Sequence, residues 1–201
     1  MILEAFFAFL IGYFAGSIPF GLLLTLAAGK GDIRSIGSGN IGATNVLRTG
    51  SKWLAVATLL LDFGKGLLAV LVARSLFGPA EAMLAPVALA ALGAVLGHCF
   101  PVWLKFKGGK GVATNMGVSF GLAWPIGAAY ALTWLVIALL FRISSLAGMA
   151  AVVAAVVAAA VLELWAFVPM LALIALVVIW LHRANISRLL AGTEPRIGSK
   201  K

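Results

Sequence analysis

Residues 145–162 read SLAGMAAVVAAVVAAAVL, eighteen positions with no charged side chain, bounded by Arg142 before and Glu163 after. As a helix they rise about 27 Å, close to the roughly 30 Å hydrocarbon core of a bilayer. In water an Ala and Val tract of this kind would look like low complexity. In lipid its small side chains let helix backbones approach closely, so the stretch reads as a packed membrane helix.

The same pattern extends in both directions. Of 201 residues, 63% are hydrophobic and 10% charged, against roughly 25% charged in an ordinary soluble domain. That composition excludes a water-soluble globule and places the whole chain, 1–201, in one all-α polytopic domain. Seven spans are expected, at 3–28, 53–76, 82–103, 111–123, 125–141, 145–162 and 166–182. The fourth is short, since its residues rise only about 20 Å. It must be partly re-entrant, sit in thinned bilayer, or be extended through the Gly-rich segment before it.

The cations set an orientation. Seven spans put 29–52, 104–110, residue 142 and 183–201 on one face, and thirteen of the fifteen Lys and Arg fall there, with only Lys65 and Arg74 outside. Glu4, Glu81 and Glu163 mark the opposite ends. The positive-inside rule then makes the basic face cytoplasmic and the N-terminus external. With Glu4 and no Lys or Arg before its apolar run, the first span is expected to stay as a helix and not to be cleaved as a signal peptide. The formal charge of +9 is thereby explained by membrane topology, and no nucleic-acid partner is implied. Cys99 stands alone and reads as a small packing residue.

Three polar clusters lie on that face. The first is GSGNIGATN, Gly37 to Asn45, followed by Arg48. It formally matches the dinucleotide fingerprint, with Asp62 at the place of the ribose acid, but no strand precedes it and Asp62 lies in a membrane helix. The local physics survives the false match. Gly37, Gly39 and Gly42 let backbone N–H groups converge on an anion, Ser38, Asn40, Thr44 and Asn45 add uncharged donors, and Arg48 offers a planar fork suited to phosphate. A flexible linker is the plain alternative.

The second cluster joins Gly97-His98-Cys99-Phe100-Pro101 to KFKGGKGVAT, Lys105 to Thr114. It lacks the first Gly of a nucleotide P-loop, and Gly111 follows its lysine where Ser or Thr is required. Gly108, Gly109 and Gly111 around Lys110 nevertheless open a helix in the manner of an anion site, with Lys107 beside them. Lys105 and Lys107 also fit simple interfacial anchors. The third cluster is His182-Arg183-Ala184-Asn185 with Arg188, then Glu194-Pro195-Arg196. Spacing by three puts His182, Asn185 and Arg188 or Leu189 on one helix face, and Glu194 among the cations of the tail reads as an ion-pair partner. Asp62 and Lys65, three apart within a span, are expected to pair. Of Ser144 and Ser145, one is expected to cap its helix.

These residues resemble the PlsY-type bacterial membrane acyltransferases. The likeness lies in the three clusters taken in order, together with Asp62, Lys65 and Gly66, and it covers nearly the whole chain. It implies a fatty acyl transfer from acyl phosphate to glycerol 3-phosphate in the bacterial cytoplasmic (inner) membrane, with all three motifs facing the cytoplasm. Ser38 and Arg48 would be an essential pair, and the glycines with Lys110 a phosphate loop. His182 and Asn185 would form an active-site pair, Glu194 a structural acid and Ser145 a substrate contact. Ala184, where an acid is common, and Pro195 depart from the pattern without removing a ligand. The His-x₄-Asp pairing of other glycerolipid acyltransferases is absent, as Trp103 and Ser187 stand five residues beyond His98 and His182. The resemblance therefore implies that the acyl phosphate's own phosphate takes the hydroxyl proton.

No cofactor, metal site or obligate protein partner is called for. A phosphate or organophosphate transporter is the main alternative, but its site belongs near the midplane, whereas all three clusters share one face. A phospholipid-forming phosphotransferase lacks its acidic metal cluster, with six acids in the chain.

Overall fold

The computed structural model describes residues 2–78 and 86–198. Glu81, the start of the expected 82–103 span and the terminal cations Lys200 and Lys201 lie outside the described residues. The helices are α1 Ile2–Gly16, α2 Phe20–Ala27, α3 Ala43–Val46, α4 Lys52–Phe77, α5 Pro86–Cys99, α6 Val112–Leu122, α7 Trp124–Phe141, α8 Ser144–Val161, α9 Val168–Leu181 and α10 Arg183–Leu190. Among the described residues there is no β-strand.

Five stretches are long and apolar enough to cross a membrane: Ile2–Ala27, Lys52–Phe77, Pro86–Leu104, Trp124–Phe141 and Ser144–Val161. Residues 165–190 make a sixth if the pair Trp165–Leu181 and Arg183–Leu190, bent by 59°, is taken as one. The first expected span is thus interrupted at 17–19, while the bend falls at the end of the last, 166–182. In the first the cause is Pro19, which lacks an N–H and cannot continue α1.

The fourth expected span, α6, has only 11 residues. It runs parallel to α4 in backbone contact: a Cβ on Gly117 would strike the Phe63 carbonyl and the Leu67 nitrogen, one on Gly121, a turn further on, Val70, and one on Gly66 the Thr114 carbonyl. With Gly117, five residues past Val112, set between Phe63 and Leu67, α6 begins roughly 12 Å along α4 at about 1.5 Å per residue. Similar close approach joins α1 to α5, where Gly12 and Gly16 lie on Ala90 and Ala94, and Gly93 and Gly97 on Phe9 and Tyr13. Small residues thus draw four helices together beneath the polar clusters, and Tyr130 on α7 donates to the Val112 carbonyl at the head of α6, at 2.9 Å.

Candidate functional site

The loop between α2 and α4 is shaped by one side chain. Asn45 is buried, its Oδ1 accepts from the Ser38 N–H at 3.1 Å, and its Nδ2 lies 2.9, 3.0 and 2.8 Å from the carbonyls of Ile33, Ile36 and Asn40. Expected among the substrate donors, Asn45 has its amide engaged by the loop itself. Gly37 adopts φ +58°, and a Cβ there would strike Arg48, whose side chain therefore lies across the loop. Asn40 Nδ2 donates to Ser38 Oγ at 3.2 Å, while Ser38, Gly39 and Thr44 are exposed at the rim.

The glycine loop folds back on the end of α5. Gly108 N–H donates to the Cys99 carbonyl at 3.1 Å and Gly109 N–H to that of His98 at 3.0 Å. Gly111, at φ +80°, then turns the chain into α6. Gly109 and Gly111 are buried, Lys110 is half-buried and Lys107 is exposed. Behind the loop, the expected Asp62–Lys65 pair forms at 2.7 Å, with His98 Nδ1 at 3.6 Å from the same carboxylate oxygen. Lys65 also donates to the Ile18 carbonyl at 2.8 Å, an acceptor in the break between α1 and α2.

Glu194 is the hub of the third cluster. Its Oε1 accepts from Ser145 Oγ and from Asn185 Nδ2, each at 2.6 Å, and its Oε2 from Arg188 Nε at 2.7 Å. Asn185 Oδ1 in turn accepts from the Lys110 ammonium. One carboxylate thereby ties the tail to α8, α10 and the glycine loop. The expected hydroxyl cap of α8 is not formed: the helix starts at Ser144, so the N-cap falls on Ile143, which has no side-chain oxygen to offer, and the Ser145 hydroxyl donates instead to Glu194. At the bend between α9 and α10, the buried His182 places Nδ1 2.7 Å from the Val178 carbonyl. A carbonyl only accepts, so in the neutral ring Nδ1 carries the proton and Nε2 keeps its lone pair.

The three clusters are electrically coupled. Burial, Arg188, Arg183 and Arg48 pull the Lys110 ammonium down to about 8, while Glu194 opposes them. Burial works against the Glu194 charge, but hydrogen bonds from Ser145, Asn185 and Arg188 hold that carboxyl below its ordinary value. Four cations around one spent carboxylate leave an excess of positive charge that a phosphate neutralises. Lys110, Ser145, His182, Asn185 and Glu194 are thus brought together, with Arg48 close enough to act on Lys110. Arg188 and His98 stand in the sequence clusters without an assigned role, and the structure engages both, Arg188 with Glu194 and His98 with Asp62. The helical spacing already pointed to Arg188, whereas nothing local to His98 signals its contact with Asp62.

The glycerol-3-phosphate acyltransferase family matches residues 6–192 of this chain. Proteins named glycerol-3-phosphate acyltransferase from Erythrobacter litoralis and Mesorhizobium japonicum are 62% and 58% identical to it, the first covering 98% of both chains and the second 96% of both. The crystal structure of PlsY, an integral membrane glycerol 3-phosphate acyltransferase, is similar in its glycerol 3-phosphate form with a TM-score of 0.90, at 39% identity and over 96% of both chains. The lysophosphatidic acid form gives 0.87, over 96% of this chain and 95% of that one. Agreement of sequence and fold along almost the entire length shows that the chain belongs to the glycerol-3-phosphate acyltransferase family of integral membrane proteins.

Proposed function

We propose that this protein transfers a fatty acyl group from acyl phosphate to the 1-hydroxyl of glycerol 3-phosphate, giving lysophosphatidic acid and inorganic phosphate. The observation that carries this reading is the chain of contacts from Lys110 through Asn185 to Glu194, with Ser145 and Arg188 on the same carboxylate. It gathers motifs from distant parts of the sequence into one group of cations at the ends of α6, α8 and α9, where two phosphates can be held together with an acyl chain in lipid.

In this reading the Lys110 ammonium binds the phosphate of glycerol 3-phosphate, with Ser145 and Lys107 beside it, while the Gly108 and Gly109 N–H groups, given to the Cys99 and His98 carbonyls, hold the loop that presents it. Arg48, Ser38 and the first-loop donors Gly39, Asn40 and Thr44 hold the acyl phosphate. The glycerol hydroxyl attacks the acyl carbonyl, the carbonyl carbon to phosphate oxygen bond breaks, and the hydroxyl proton leaves with the phosphate. Juxtaposition and neutralisation of charge supply the rate, since the departing phosphate is itself the base. His182 and Asn185 orient the glycerol. We further propose the seven-span arrangement, with α6 completed by its loop, an external N-terminus and the site facing the cytoplasm of a bacterial inner membrane.

The test gives the detergent-purified protein glycerol 3-phosphate and a labelled acyl phosphate, with a chelator and no ion gradient. Lysophosphatidic acid and phosphate are expected in equal amounts. Product from acyl-CoA or acyl carrier protein but not from acyl phosphate overturns the proposed donor.

A further inference from the structure

We propose that His98 is a positioning residue, whose ring, braced by Asp62 and Lys65, seats the Gly108 to Gly111 loop and so sets the affinity for glycerol 3-phosphate. The inference rests on the reading of that loop as the site of the glycerol 3-phosphate phosphate group.

The ring cannot retreat. It is 3% exposed, and its Nδ1 faces Asp62 Oδ1 at 3.6 Å. That carboxylate is held by Lys65 at 2.7 Å, and Lys65 is fixed in turn by the Ile18 carbonyl at 2.8 Å. The opposite edge of the imidazole lies against Gly109. A Cβ on Gly109 would strike Nε2, with Cε1 at 2.9 Å and Cδ2 at 3.0 Å. The backbone leaves no slack either, because the Gly109 N–H donates to the carbonyl of His98 itself at 3.0 Å.

The direction of that missing side chain carries the inference. From the family motif alone, Gly109 is needed so that a phosphate can approach the backbone. In the structure its vacant Cβ position points into the protein, at the imidazole. A methyl group there pushes the loop off its seat from behind. Gly108 differs: its Cβ would meet the His98 carbonyl, the Cys99 carbonyl at 2.8 Å and the Pro101 ring, none of which truncation of the His98 side chain removes.

His98→Asn deletes the ring edge that faces Gly109 while keeping a polar group toward Asp62. Measured with purified full-length protein, Gly109→Ala is expected to raise the KM for glycerol 3-phosphate about tenfold with kcat within about threefold of the parent. In His98→Asn/Gly109→Ala the KM should return to within about threefold of that of His98→Asn, a coupling that independent sites do not show. Gly108→Ala should gain nothing from His98→Asn. If the effects of Gly109→Ala and His98→Asn simply multiply, or if Gly108→Ala is relieved equally, His98 does not seat the loop. If Gly109→Ala leaves the KM unchanged, the phosphate-loop reading falls and the proposal with it. Should Gly109→Ala fail to fold, His98→Asn must restore monodisperse protein and a thermal transition that the single variant lacks; no restoration overturns the proposal.

Discussion

Arg142 and Ile197 are joined twice. The Ile197 N–H donates to the Arg142 carbonyl at 2.6 Å, and Arg142 Nη2 donates to the Ile197 carbonyl at 2.9 Å. Arg142 caps the end of α7, two residues before the start of α8 and three before Ser145, and Ile197 follows Glu194 by three, so this clasp lies next to the Ser145–Glu194 hydrogen bond. Arg142→Ala removes only the side-chain bond and should lower kcat/KM by about two- to tenfold, the range of one net hydrogen bond. Ile197→Pro removes the backbone donor and should cost more. Equal activity of both variants with the parent would mean that the clasp does not align Glu194.

The contrast between what the sequence shows and what it hides follows from distance along the chain. Span 145–162 and the Asp62–Lys65 pair are local patterns of hydropathy and charge, and both are present as expected. So is the ionic role of Glu194, whose partner Arg188 lies on the stripe begun by Asn185. The break at 17–19 carries a visible mark in Pro19, but its use carries none, since the acceptor it offers at Ile18 serves Lys65 on another helix. The same holds for Ser145, whose neighbours in sequence suggest a helix cap while its acceptor arrives from the tail. Residues joined only by the packing of α4, α5 and α6, such as Asp62 and His98, leave no spacing to read.

Lys110 should impose an alkaline limb on substrate affinity. Burial and neighbouring guanidinium groups lower its ammonium to about 8 from an ordinary 10.5. As pH rises through about 8 the free enzyme therefore loses the proton that attracts phosphate. The KM for glycerol 3-phosphate should climb above that pH, and kcat/KM should fall. Bound phosphate favours the charged form, so the corresponding limb in kcat should lie higher. Lys110→Arg keeps its charge and should lose the limb, at a lower overall activity because the fork does not fit the place of an ammonium. A limb unchanged in Lys110→Arg assigns it to another group.

Glu194 should matter far more than any one of its donors. Ser145→Ala leaves the Asn185 and Arg188 bonds in place and should cost about tenfold, the lower end of the ~1.5–3 kcal/mol range of a hydrogen bond to a charged group. Glu194→Gln cannot satisfy all three donors and leaves Arg188 without its ion partner, so its loss should reach about a hundredfold. The carboxyl is held below its ordinary 4.5, so its contribution to stability is present above that value and disappears as pH falls through the lowered one. The gap in Tm between the parent and Glu194→Gln should accordingly be constant near neutrality and narrow in acid. A gap that widens in acid contradicts this sign.

His182 separates two chemistries. No acid stands at a matching spacing in sequence, and it is the Val178 carbonyl that fixes the tautomer, 2.7 Å from Nδ1. The Nε2 lone pair is then available either to take the glycerol proton or merely to hold the hydroxyl in line. If His182 is the base, His182→Ala should cost roughly 10²–10⁴-fold in kcat and remove an ionisation from the pH profile. The proposed route sends the proton to the leaving phosphate, which requires of His182 only a hydrogen bond. Asn at this position keeps a donor in reach of Val178, and Gln an acceptor near the place of Nε2. Both should retain much of the rate with the pH dependence of kcat unaltered, while His182→Ala, which keeps neither, should be the weakest of the three. Near-total loss in His182→Ala and His182→Gln alike, in folded protein and with a limb missing from the profile, would make His182 the base and remove that role from the phosphate.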